Sequence, residues 1–157
     1  MAELDEIDYG ILHLLQEDAR HQTPVDMAEH LPVSAQTVRN RIEKLEEAGV
    51  IEGYAPSINY EKAGFPIRLQ FICTAPPQQR EELAKEILQI DHMVRVDEML
   101  SATENLRSLA VTKDSEEINT ITEKLHELGL TIEREQLQRY EHNRPFNHFG
   151  EETISEE

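Results

Sequence analysis

Six side chains able to make directional hydrogen bonds or carry positive charge fall between positions 36 and 44: Gln36, Thr37, Arg39, Asn40, Arg41 and Lys44. Arg pairs bidentately with the guanine edge and Asn or Gln with adenine, each good pair contributing on the order of 1–3 kcal/mol of base discrimination. Phosphates are held instead by cations, hydroxyls and helix N-termini, which fix register without reading sequence. The chemistry on offer is recognition of a DNA duplex. Gln36, Thr37, Asn40 and Arg41 are the candidates for base edges, and Ser34, Arg39 and Lys44, at the cap or flank, for phosphates. A second polar cluster, Ser101, Thr103, Glu104 and Asn105, offers hydrogen bonds to a small polar effector, with a solvent-exposed hairpin as the alternative.

Charge argues against a polyanionic partner at first sight. The 157 residues carry 32 Asp plus Glu against 15 Lys plus Arg, a formal net charge of −17, and such a field repels DNA at long range. Both sides of Pro56 are acidic, with 12 acidic and 4 basic residues before it and 20 and 11 after it. Residues 34–44 nevertheless hold three basic residues and one acidic, so positive charge is concentrated where recognition is expected. Glu outnumbers Lys 25 to 5. A surface of that kind stays hydrated in a very salty cytoplasm and points to a halophilic source.

The polar cluster must be positioned by helices. Leu4, Ile7, Ile11, Leu14 and Leu15 recur at helical spacing over Leu4–Gln16, with Asp5 and Asp8 near the start where they favour the helix dipole. Thr23-Pro24 reads as an N-cap and first helical position for a helix of about two turns ended by Pro32. Ser34 caps a third helix running to about Ala48, closed by Gly49, with Ala35, Val38, Ile42 and Leu45 as its buried stripe and the polar residues opposite. Pro32-Val33-Ser34 between two short helices is the spacing of a helix-turn-helix, in which the second helix enters the major groove.

Gly53, Pro56, Gly64 and Pro66 break up the next stretch. Beyond it a strand is expected over Ile67–Thr74, a helix over Gln79–Ile90, strands over Val94–Leu100 and Leu106–Val111, a helix capped by Ser115 and ended by Gly129, and a polar strand over Leu130–Tyr140. That order is the split βαβ, or ferredoxin-like, arrangement, with helices on one sheet face and the other left to water or another subunit. The expected division is a DNA-binding domain over 1–60, a linker over 61–66, a sensing and oligomerisation domain over 67–141, and an acidic tail over 142–157 with little to bury.

Other chemistries find little support. Cys73 is the only cysteine and alternates with Ile67, Leu69 and Phe71, so it reads as a small core hydrophobe. The seven histidines show no i, i+2 or i, i+4 pair, and no metal, cofactor or catalytic group is expected. There is no Gly-rich phosphate loop or nucleophile elbow. No export signal and no run of about 20 apolar residues is seen, so the expected location is cytoplasmic with no membrane partner.

Leu4-Asp5-Glu6-Ile7-Asp8, the run Ile11 to Arg20, Ser34 to Arg41, and the run Arg41 to Tyr54 resemble the leucine-responsive/AsnC (Lrp/AsnC) family of prokaryotic transcription regulators. The resemblance implies a winged helix-turn-helix followed by a ferredoxin-like regulatory domain, an α+β fold. It also implies a homodimer formed through the sheet, often assembled into octamers, and a small-molecule effector, commonly an amino acid, held between regulatory domains. The family usually has a Gly and an Asp in the turn between the second and third regulatory strands, where this chain has Ser101 to Asn105. The acidic composition and Arg144-Pro145-Phe146-Asn147-His148-Phe149 look most like haloarchaeal members.

The same two-domain order resembles siroheme decarboxylases, an enzyme alternative carried by a faint echo of their Tyr-Asn-Leu segment in Asn105-Leu106. A tetrapyrrole site calls for aromatic walls and basic residues, whereas this loop offers Ser, Thr and Glu. A third reading is a regulatory partner that uses its C-terminal sheet only to assemble with related chains, because an exposed sheet face recognises similar sheets as readily as itself.

Overall fold

The structure, a computed structural model, describes residues 3–149. The chain forms two compact units: the residues up to Pro56 with the segment beginning at His142, and Ser57–Glu141.

The first unit holds three helices, α1 (Glu6–Asp18), α2 (Pro24–His30) and α3 (Ala35–Glu47). α1 starts two residues later than its apolar periodicity suggests, because Asp5 and Asp8 close a capping box in which each carboxylate accepts the other residue's backbone N–H at 3.1 Å. Thr23 and Asp26 cap α2 in the same way, with Pro24 in its first turn. Ile11, Leu14, Met27, Leu31, Val38 and Leu45 form the shared core, an aliphatic stripe from each helix. Gly49 ends α3 with φ of +74°, where Val50 N–H donates to the Leu45 carbonyl at 3.0 Å, a closure that disfavours any residue with a Cβ.

The second unit contains β1 (Ile67–Thr74), α4 (Arg80–Leu88), β2 (Met93–Glu98), β3 (Leu106–Thr112), α5 (Ser115–Glu127) and β4 (Thr131–Leu137), with a short 3₁₀ turn at Pro77–Gln79 leading into α4. The sheet order is β2-β3-β1-β4 and all three pairings are antiparallel. That is the ferredoxin-like topology, in which each helix carries the chain across the sheet. Leu69, Phe71 and Cys73 of β1 and Leu106 and Ala110 of β3 face α4 and α5 and pack with Leu83, Ile87, Ile121 and Leu125. Asp114, not Ser115, caps α5, accepting Glu117 N–H at 3.0 Å, because its extended backbone lies one residue before the first helical turn.

On the opposite sheet face Ile72, Leu109 and Val111, all three buried, lie among Arg68, Arg95, Arg107 and Arg134, following the strand alternation and register. β4 is an exposed, polar edge strand. No helix among the described residues is long and apolar enough to cross a membrane.

The segment from His142 does have apolar surface to bury. Phe149 packs against the core of the first unit and stacks on Tyr9 with ring centroids 5.7 Å apart. The four glutamates after Gly150 lie outside the described residues.

Candidate nucleic-acid interface

α3 owes its position to its apolar stripe. Val38 and Leu45 are buried and Ile42 partly so, which turns Gln36, Arg39, Asn40 and Lys44 to the solvent. These exposed side chains are interlinked: Gln36 Nε2 donates to Asn40 Oδ1 at 3.0 Å, and Arg39 donates to Gln36 Oε1 at 3.4 Å. The links hold three polar side chains side by side on the exposed face of α3.

Ser34 is the N-cap. Its hydroxyl accepts Thr37 N–H at 3.2 Å and pairs with the Thr37 hydroxyl at 3.0 Å. Both hydroxyls therefore order the start of α3.

Arg41 is placed differently from the rest of the cluster. Its guanidinium donates to Asp5 Oδ2 at 2.7 Å and lies 3.2 Å from Asp8 Oδ2. The hydrogen bond to Asp5 and then that to Asp8 raise the Arg41 pKa, and the same contact with Arg41 holds the Asp5 carboxyl below its usual range. Arg41 ties α3 to the first turn of α1, and the positive charge left on the exposed helix face comes from Arg39 and Lys44. Asp5 and Asp8 were legible as a helix start, but their distance in sequence from Arg41 hides this bridge.

After α3 the segment Val50–Pro56, where a wing follows in such domains, runs without strand pairing. Its Tyr54 hydroxyl donates to Glu46 Oε1 at 3.0 Å, anchoring it to the end of α3; desolvation first, then this carboxylate, raise the Tyr54 pKa.

The second predicted cluster occupies the β2–β3 turn. Ser101 Oγ donates to the Thr103 carbonyl at 2.8 Å, and the Glu104 carboxylate pairs with Arg134 at 3.1 Å. Glu104 adopts φ of +50°, and its N–H donates to Thr74 Oγ1 at 2.8 Å. Asn105 is fully buried: its Oδ1 accepts Ala75 N–H and its Nδ2 donates to the Ala75 carbonyl, each at 2.8 Å. Its amide closes the turn onto the end of β1, while Ser101, Thr103 and Glu104 line the outer side. Among the described residues no group of three or more His, Cys, Asp or Glu is gathered as a metal would need.

A short helix, a tight turn and a second helix with an apolar stripe and a polar exposed face are the parts of a helix-turn-helix DNA-binding protein. Residues 4–52 match the winged helix-turn-helix DNA-binding family. An HTH-type transcriptional regulator of Methanocaldococcus jannaschii is 30% identical over 126 residues, 80% of this chain and 84% of that protein. The HTH-type transcriptional regulator LrpA of Pyrococcus horikoshii is 32% identical over 119 residues, 75% of this chain and 82% of its own length. A solved transcriptional regulator of Neisseria meningitidis, in complex with L-Met, shares the fold with a TM-score of 0.73 at 20% identity, covering 92% of this chain and 96% of that one. The chain belongs to the Lrp/AsnC family of transcription regulators, and its function is that of a DNA-binding regulator.

Proposed function

We propose that the protein reads a specific operator as a homo-oligomer, with Gln36, Thr37 and Asn40 at base edges and Ser34, Arg39 and Lys44 at phosphates. Arg41 supports this set by fixing α3 against α1. The observation that carries the reading is the exposed, interlinked row Arg39–Gln36–Asn40 on a helix whose other side is anchored in the core. Self-association uses the sheet face around Ile72 and Leu109, where arginines stand beside Asp97 and Glu141, a mixture of charge that a two-fold interface can match with itself.

An effector of the amino-acid class is assigned to the outer side of the β2–β3 turn, where Ser101, Thr103 and Glu104 offer polar groups. The Neisseria meningitidis relative in fold, solved with L-Met, supports that class of ligand. The acidic surface suits a haloarchaeal cytoplasm. The relatives are named as regulators, and Asn105, which carries the siroheme-decarboxylase resemblance, spends its amide on Ala75; both favour binding over catalysis.

Footprinting with purified protein on a selected duplex tests the reading. Two protected half-sites about one helical turn, roughly 34 Å, or a multiple apart are expected from a two-fold assembly. A single asymmetric contact would overturn it, and native mass measurement gives the stoichiometry directly.

A further inference from the structure

Phe146 and Phe149 are two of only four phenylalanines in the chain, and they sit in a segment otherwise polar enough to be left in water. The two rings meet edge to face with centroids 4.7 Å apart, and His148 lies against Phe146 at 5.3 Å. Phe149 stacks on Tyr9 of α1, and Phe146 N–H donates to Gln16 Oε1, also on α1, at 3.0 Å. Phe149 further forms one wall of a cavity of about 410 Å³ whose other walls come from Leu12, Leu15 and Ala19 of α1 and from Val50, Ile51 and Tyr54 after α3. The aromatic segment, α1 and the segment that follows α3 therefore converge on one place.

The same segment is anchored at its other end. Glu141, the last residue of the second unit, lies 3.4 Å from Arg68 and 3.6 Å from Arg95 on the open sheet face. The chain leaves the first unit at Pro56 and returns to it at His142, so the two units are joined by two covalent connections.

We infer that residues 142–149 are a strap: its aromatic end braces α1 and the Val50–Ala55 segment and thereby sets the DNA affinity of the first unit, while Glu141 fastens its other end to the regulatory sheet. The strap is a covalent route by which a change at the sheet reaches the DNA-binding helices. Its affinity arm rests on the DNA-binding reading; its bracing arm does not.

The test uses the full chain with Phe149→Ala, Gln16→Ala and the milder Phe149→Leu. The probe is a fluorescent duplex selected from random-sequence DNA by the unaltered protein, alongside amide exchange without DNA. Loss of one stacked aromatic pair should weaken duplex binding by about two- to tenfold with base preference unchanged. Amide exchange should quicken in residues 9–19 and 50–55, with Phe149→Leu intermediate. Unchanged exchange in both segments would overturn the brace whatever happens to DNA. Faster exchange with unchanged affinity would overturn its control of binding. Should Phe149→Ala fail to fold, Phe149→Leu and Gln16→Ala carry the same comparison. Failure of the unaltered protein to select any duplex would count against the DNA reading and leave the exchange result to decide the brace.

Discussion

The Arg41 guanidinium reaches from the middle of α3 to both carboxylates of the α1 capping box, donating to Asp5 at 2.7 Å and lying 3.2 Å from Asp8. Asp8 is the more consequential partner, since its side chain is only 9% exposed whereas that of Asp5 is 54% exposed and screened by water. Arg41→Ala leaves a nearly buried carboxylate without its cation and should destabilise the first unit by about 1–2 kcal/mol, measured by urea unfolding. Arg41→Lys keeps the charge but loses the planar fork, and should fall between the two.

The remaining residues of the α3 face separate by how their loss depends on salt and sequence. Arg39→Ala and Lys44→Ala should each reduce the slope of log affinity against log salt by about 1, with base preference intact. Gln36→Ala and Asn40→Ala should leave the slope alone and cost about 1–3 kcal/mol at one base position. With so few cations in a chain of net charge −17, the slope of the unaltered protein should itself be shallow. Titration of a labelled duplex at several salt concentrations checks all of these.

Periodicity and capping chemistry made the helices and the order of the strands legible. Ser34, Thr23-Pro24 and Gly49 act through neighbours only a few residues away, and those signals survive in sequence. Arg41 and Asn105 do not act locally. Their partners lie 36 and 30 residues away, so an Arg on a polar helix face and an Asn in a polar turn read as ligand-facing when one is a bridge and the other a buried clamp. Phe149 was hidden similarly, its acidic surroundings suggesting solvent while the ring itself asked for a surface to cover.

Acid should weaken the first unit through carboxylates that accept local hydrogen bonds at its helix ends. Asp5 is held low by the Arg41 bond and then the Asp8 N–H, Asp18 by the His21 N–H and then its ring, and Asp26 by the Thr23 hydroxyl and then its N–H. Each folded value lies below the ordinary 3.8, so each contribution is fully present above 3.8 and is lost as pH falls through the lower folded value. Thermal melts from about pH 5 to about pH 1 should show stability falling across that range. Asp26→Asn should flatten the acid limb, and an unchanged limb would count against the Thr23 cap as its source.

Cys73 should be inert in the folded protein. It is 1% exposed, and burial, with Glu133 and Glu135 adding to it, pushes its thiol up to about 12. Since the thiolate is the reactive form, a thiol reagent at neutral pH should label the native chain very slowly and the denatured chain with one equivalent. Rapid native labelling would mean that β1 opens locally.

Asn105 tests whether the β2–β3 turn is held by its own residues. Its amide satisfies both backbone groups of Ala75, and Thr74 beside it accepts the Glu104 N–H while donating to Glu133 Oε1 at 2.8 Å. Glu104 sits in the left-handed region at φ of +50°, a conformation that persists only where surrounding bonds impose it. Asn105→Ala would strand a buried N–H and a buried carbonyl, and should destabilise the second unit by about 2–4 kcal/mol in denaturant unfolding. Asn105→Asp should be comparably damaging, because the carboxylate can accept the Ala75 N–H but repels its carbonyl oxygen. By contrast, Ser101→Ala and Thr103→Ala should leave stability within about 0.5 kcal/mol of the parent, as surface positions do. If an amino acid binds this turn, those two variants and not a folding defect should weaken it, and calorimetry on the stable variants would separate recognition from scaffolding.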